Sequence, residues 1–260
     1  MKQILGGMVV AAALSGSAFA ADLPPRSYDK APAMASPVAN WSGLYVGGNV
    51  GYGWGNDSTD FAFLPTPAFF EVDNTALDTK SKGAISGVQI GYNWQMGAIL
   101  AGLEADIQGS GIKSSKQSPF VNIDANGFLP GQFLSTEQEL SWFGTVRGRL
   151  GATVTPDLLL YATGGLAYGH VDASANTFFS SAFQYPASVG QTKAGWTVGA
   201  GAEWMFARNW SAKVEYLYLD LGNVSAVGRS ALNPGSEATY TWQTRENIVR
   251  AGVNYHFNVY

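Results

Sequence analysis

From Trp41 onward the chain is organised by a period of two. In "WSGLYVGGNVGYGWG", Leu44, Val46, Gly48, Val50, Tyr52 and Trp54 share one parity, and Tyr45, Gly47, Asn49, Gly51 and Gly53 share the other. This is a strand with one oily face ending in aromatics and one face that is small or polar, the alternation expected where lipid covers one side.

The pattern recurs seven times. Ala84, Val88, Ile90, Tyr92 and Trp94 oppose Gln89, Gly91 and Asn93; Ile99, Ala101, Leu103, Ala105 and Ile107 oppose Glu104, Asp106 and Gln108. Leu140, Trp142, Val146 and Leu150 oppose Ser141, Thr145, Arg147 and Arg149. Between Leu158 and His170, Leu160, Ala162, Leu166 and Tyr168 oppose Tyr161, Thr163 and Gly165, although the leucines that open this strand fit either register. Trp196, Val198, Ala200, Ala202 and Trp204 face away from Thr197, Gly199, Gly201 and Glu203, and Val214, Tyr216 and Tyr218 away from Lys213 and Glu215. The last set is Val249, Ala251, Val253, Tyr255 and Phe257 against Arg250, Asn254 and His256.

The connections alternate: 55–82, 111–138, 172–192 and 222–245 are long, and 95–97, 155–157 and 207–209 are short. That alternation predicts an all-β, eight-stranded antiparallel up-and-down transmembrane β-barrel, with four long extracellular loops and three short periplasmic turns. Ten tilted residues span roughly 25 Å, the height of an outer-membrane apolar band. Strand direction then sorts the outward aromatics into two girdles. Trp54, Trp142, Trp196, Tyr168 and Tyr218 collect near the long connections, and Tyr92, Trp94, Trp204, Tyr255 and Phe257 near the short turns.

The inward parity carries Glu104, Asp106, Glu203 and Glu215 with Arg147, Arg149, Lys213 and Arg250, four acids against four bases. An eight-stranded barrel is just wide enough for side chains to fill, and charges inside it must be paired or watered. The expectation is an interior ion-pair network, with the glycines of the first strand leaving room for larger neighbours.

The segments "WSGLYVGGNVGYGWG", "GVQIGYNWQ", "WFGTVRGRLG", "YATGGLAYG", "VEYLYLDLG" and "RAGVNYHF" together resemble the small outer-membrane β-barrels of alphaproteobacteria, porin-like major surface proteins related to the OmpA-type transmembrane domain. The resemblance covers essentially the whole chain after residue 20. It implies an outer-membrane location and, in some members, roles in envelope integrity, host contact or haem binding. The closing segment, with Gly252, Tyr255 and Phe257, is similar to the signal read by the barrel-assembly machinery, except that Asn258, Val259 and Tyr260 extend past the usual final aromatic. OmpA-type proteins often carry a peptidoglycan-binding domain after the barrel; none is expected here.

The first forty residues change the starting point of the fold. Lys2, the apolar run Ile4 to Leu14 and the sequence Ala18, Phe19, Ala20 read as a secretory signal peptide over 1–20, cleaved between Ala20 and Ala21. Residues 21–40, with Pro24, Pro25, Pro32 and Pro37, read as a flexible periplasmic lead-in, and 41–260 as the barrel. Nothing after the leader approaches 18 consecutive apolar residues, so no transmembrane helix is expected. Loss of Lys2 moves the formal charge from -4 to about -5, with no basic run to attract nucleic acid. The chain has no cysteine, hence no disulfide or thiolate chemistry.

Candidate chemistry is sparse. His170 and His256 fall at opposite ends of the barrel and cannot share a metal ion, and no cofactor or metal is expected. Glu104 and Asp106 lie i and i+2 on one face, as a catalytic carboxylate pair could, but facing Arg147 and Arg149 they are more simply an ion-pair layer. "GGNVGYGWG" lacks the helix and lysine of a phosphate loop. Lys80, Lys82 and Lys113 extrapolate to the outward face of the upper rim, where lipopolysaccharide phosphates would lie. The leading reading is a non-catalytic outer-membrane protein of envelope integrity and surface interaction, with outer-membrane lipid and lipopolysaccharide as partners. The alternatives are a small-solute porin, a haem or other ligand binder acting through its loops, and a soluble lipocalin-type barrel.

Overall fold

A computed structural model of the chain describes residues 40–64, 77–119, 133–180, 183–232 and 235–257. The leader, with the expected cleavage between Ala20 and Ala21, and the proline-rich segment up to residue 39 lie outside the described residues, as do 258–260.

Eight strands follow one another in the chain: β1 (Gly43–Leu64), β2 (Leu77–Met96), β3 (Ile99–Pro119), β4 (Phe133–Thr155), β5 (Leu158–Ser180), β6 (Phe183–Ala207), β7 (Trp210–Arg229) and β8 (Glu237–Phe257). Each pairs antiparallel with the next, and β8 pairs with β1, for example Val46 opposite Tyr255, so the sheet closes into a barrel without edges. The short turns are as tight as the spacing predicts. Gly97 adopts φ 64 in the β2–β3 turn, a left-handed conformation glycine adopts without steric penalty.

The strands are about twice as long as a membrane requires. Of 172–192, expected as a connection, nearly everything is strand: Ser180 pairs with Phe183. Likewise β7 runs on to Arg229 and β8 begins at Glu237, inside the expected loop 222–245. β1 and β2 reach Leu64 and Leu77, β3 and β4 reach Pro119 and Phe133, and the residues between those ends are outside the described set.

These extensions keep the period of two but reverse its sense. Below Trp54 the outward positions are largely aliphatic, with Val88 60% and Leu166 67% exposed, and the inward ones include a buried charged layer between apolar ones. Above it the large apolar side chains turn inward, Phe61, Phe63, Leu77, Leu134, Tyr185, Tyr240 and Trp242 forming one cluster among buried polar positions. The outward positions there are polar, such as Asp60, Lys80, Glu137 and Ser188. A reading that looks for outward aliphatics stops at the reversal.

Two bulges also shift the parity. Leu140 was expected on the lipid face with Trp142, but the register breaks between them and Leu140 turns inward, 2% exposed. Gly222, at φ 73, forms the second, where its N–H is held by Asp220 Oδ1 at 2.8 Å and the strand continues.

Candidate functional site

The interior is filled in layers from the short-turn end upward. Trp41 closes the bottom: fully buried, it donates its indole N–H to the Pro156 carbonyl at 3.0 Å and packs edge-on against His256. Leu100, Leu159, Tyr161 and Met205 complete this apolar floor.

Above it sits the ionic layer expected from the inward parity, and all eight of its charged members are buried. Arg147 of β4 is the hub. Its guanidinium reaches Glu104 and Asp106 on β3, the latter at 2.9 Å, and crosses the lumen to Glu215 on β7 at 3.0 Å. Arg250 of β8 meets the same three carboxylates, with Glu215 at 2.6 Å and Asp106 at 3.0 Å. Lys213 donates to both oxygens of Glu104 at 3.0 and 2.9 Å. Buried charges so densely hydrogen-bonded are compensated, whereas removal of one partner would leave a bare ion in a dry interior.

Arg149 departs from expectation. It does not face the Glu104–Asp106 pair but turns to Glu203, stacking on the Tyr161 ring at 3.7 Å from its centroid. Glu203 also accepts from Ser211 at 2.5 Å and Asn254 at 2.7 Å, beside His256. Tyr45, inward but not singled out by its sequence position, donates its hydroxyl to Glu104 at 2.7 Å. Gly91 makes this possible, because a Cβ there would collide with that hydroxyl. His170 lies apart near the far end of the membrane-facing stretch, by Thr192 and 3.4 Å from Asp172. The two histidines are therefore separated as expected, and among the described residues no three His, Asp or Glu side chains come together to hold a metal ion.

An apolar layer around Ile85, Ile112, Phe143, Leu217, Leu219 and Ile248 follows. Then comes a thin polar layer containing Asp57, Ser81 and Glu246, and finally the aromatic cluster at the far end.

On the outside, the aromatics fall into two belts. Trp142 contacts Tyr168 and Trp196 contacts Tyr218 in the upper one, while Trp54 and Tyr218 share Asn247 as register partner. Tyr92 with Trp94, Trp204 with Phe206, and Trp210 with Tyr255 and then Phe257 make the lower one. The closing residues Tyr255 and Phe257 thus belong to the lower belt, with Gly252 on the same strand against the Gly48 carbonyl. In the β4–β5 turn, hydrogen bonds from Thr155 at 2.7 Å and the Trp204 indole at 3.1 Å hold the Asp157 carboxyl below the usual aspartate range.

Lys80, Lys82 and Lys113 are all exposed and outward at the upper belt. Lys82 is the register partner of both Trp54 and Lys113. Lys113 pairs with Glu139 at 2.8 Å, and Lys116, which the sequence reading missed because it lay inside an expected loop, reaches the Asp78 carbonyl at 2.7 Å.

An apolar band between aromatic belts, wrapped around a charged interior, defines a membrane-spanning β-barrel. The chain belongs to the outer membrane protein β-barrel domain family, whose model matches residues 8–257. It is 39% identical over 255 residues to the 31 kDa outer-membrane immunogenic protein of Brucella melitensis, covering 95% of this chain and 97% of that one. It is 32% identical to the 22 kDa outer membrane protein of Rhizobium leguminosarum, over 72% of this chain and 68% of the relative. Among solved structures, OprG of Pseudomonas aeruginosa matches with a TM-score of 0.48 at 12% identity, covering 84% of this chain and 97% of that chain. The protein is an outer-membrane β-barrel of a Gram-negative bacterium.

Proposed function

We propose that this barrel is a non-catalytic structural and surface-contact component of the outer membrane. The observation that carries the reading is the filled lumen. Trp41 below, the paired ionic layer, and the two apolar clusters above occupy successive cross-sections of a barrel only eight strands wide. Such an interior favours neither a solute path nor catalysis: Glu104 and Asp106 are both held by Arg147 and Arg250, and Glu104 also by Lys213, rather than poised as acid and base. The rigid wall beyond the upper belt, roughly 25 Å tall for ten tilted residues, offers a polar outer surface for contact with the surroundings. The naming of the Brucella relative as immunogenic is in keeping with surface display.

Two lipid-side contacts belong to this reading. Lys80, Lys82 and Lys113 meet lipopolysaccharide phosphates at the level where Trp54 marks the upper boundary. Gly252, Tyr255 and Phe257 serve the barrel-assembly machinery as the closing-strand signal. In planar bilayers the purified protein is expected to give no stepwise conductance, and a deletion strain is expected to be more sensitive to detergent and bile salts. Steady single-channel openings would replace this reading with a pore. A Lys80→Gln, Lys82→Gln, Lys113→Gln variant is expected to lose lipopolysaccharide during purification; unchanged retention would remove the phosphate contact.

A further inference from the structure

Two interior layers hold buried carboxylates, and only the lower one supplies cations to them. In the upper layer Asp57 of β1 is 2% exposed and Glu246 of β8 is 1% exposed, and among the described residues neither forms an ion pair. The charged neighbours point away: Lys80 and Lys82 are exposed on the outer wall, and Arg245 is turned outward to Asp220 at 3.2 Å. Apolar clusters lie above and below, with Ile112 and Ile248 on one side and Trp242 and Tyr240 on the other.

The polar atoms of this layer converge. Ser81, on β2 and 4% exposed, directs its hydroxyl toward both carboxyls, yet Ser81 Oγ, Asp57 Oδ2 and Glu246 Oε2 all lack a hydrogen-bond partner. Among the described residues Asp57 Oδ1 receives only the Arg245 N–H, at 3.3 Å. Gly55 marks the point of convergence. A Cβ added there would press on the Arg245 carbonyl oxygen and lie 2.6 Å from Ser81 Oγ and 2.9 Å from Glu246 Oε2. Oxygen atoms from three strands therefore face one another with only the Ser81 hydroxyl proton and the long Arg245 N–H contact among them. Buried carboxylates in a dry layer demand a positive charge or a proton.

We propose that Asp57, Ser81, Glu246 and the Arg245 carbonyl form a binding site for a hard divalent cation, with Ca2+ as the best fit. The donors are all oxygen, of mixed carboxylate, hydroxyl and carbonyl type, which suits a hard cation rather than zinc or copper. The Asp57 and Glu246 carboxylates offset the ion's charge. Ca2+ tolerates the irregular geometry of ligands drawn from neighbouring β-strands better than Mg2+, which requires near-ideal octahedra. A bound ion would link β1, β2 and β8 just above the upper belt, at the seam where the first and last strands close the barrel.

The test uses the mature protein refolded in detergent micelles free of lipopolysaccharide, stripped with chelator and titrated with CaCl2 alone. Calorimetry is expected to show one saturable site per chain, and the thermal unfolding midpoint to rise with Ca2+ until the site fills. Glu246→Gln and, as a milder change that keeps both carboxyls, Ser81→Ala weaken binding, the former by at least about tenfold, because affinity follows ligand charge. Asp172→Asn, an exposed outer-wall acid, leaves binding unchanged. A silent titration of the unaltered protein overturns the proposal, as it would if the two carboxyls share a proton instead. Affinity equal in Glu246→Gln, or lost in Asp172→Asn, also overturns it.

Discussion

Arg147 shows how much of the interior one side chain can organise. It grows from β4, yet its guanidinium touches carboxylates on β3 and on β7 across the lumen, and it is fully buried. Arginine can do this because its planar fork offers several donors at fixed angles, which an ammonium does not. Arg147→Met leaves three buried carboxylates to Arg250 and Lys213, and removing one partner of a buried pair costs about 3 to 5 kcal/mol. Urea unfolding in lipid vesicles, followed by the heat-modifiable gel shift, should show a loss of that size, with a smaller loss for Arg147→Lys. Asp157 makes a second residue-scale point, about pH. Its carboxyl is held below the usual value of 3.8, first by Thr155 and then by Trp204, so the ionised form is the one the folded turn favours. Its contribution is present above the unfolded value and disappears as pH falls through the lower folded one, so it is full and pH-independent near neutrality. A carbon-detected NMR titration of Asp157 in micelles should give a midpoint under 3.8, shifted upward more by Thr155→Ala than by Trp204→Phe.

At the scale of the strand, the same alternation is written twice with opposite meaning. Val50 and Ile90 face outward below the upper belt, while Phe61 and Leu77, on extensions of the same two strands, face inward above it. The solvent has changed from hydrocarbon to water, so the apolar parity must change sides. This is why the lower half was legible from residues alone and the upper half was mistaken for loops. The lower parity, the belts and the composition of the ionic layer follow from spacing. Which base meets which acid does not, because Arg147 and Glu215 are brought together only by closure of β1 on β8. Leu140 was misplaced for a different reason: a bulge adds a residue that period-two counting cannot see. The Asp57, Ser81 and Glu246 layer went unread because all three lay in or beside stretches expected to be loop. If the upper wall is a packed element in its own right, Trp242→Ala should cost about 3 to 5 kcal/mol there, as large aromatic truncations do. The indole is fully buried and donates to Thr136 at 2.8 Å. Hydrogen exchange should then speed up at residues 237–242 while Val249 to Tyr255 keep their protection; uniform acceleration along β8 would mean that the two halves unfold as one.

For the whole molecule, the reversal of parity fixes how deep the barrel sits. The register ties Trp54, Tyr218 and Asn247 to one height around the wall, with Lys82 beside Trp54. Below it come outward Tyr52 and Val50 on β1 and Val249 on β8; above it come outward Asn56 and Arg245. An outward aliphatic exposed to water forfeits roughly 1.5 to 3 kcal/mol relative to burial, and an arginine at the bilayer midplane costs about 2 to 4 kcal/mol. With several such residues on each side of the belt, sliding the barrel by one strand pair in either direction is opposed around its full circumference. The chain contains no cysteine, so single engineered cysteines report depth without background. Cysteines at Val50, Ile90, Val198 and Val249 should resist a membrane-impermeant maleimide in intact vesicles, and those at Asn56, Asp60, Thr241 and Ser188 should react quickly. The change should occur within two to three residues of Trp54 on every strand examined. A gradual change spread over the length of the strands, or rapid labelling at Val50 and Val198, would place water where the oily face is and refute a fixed immersion depth set by the belt.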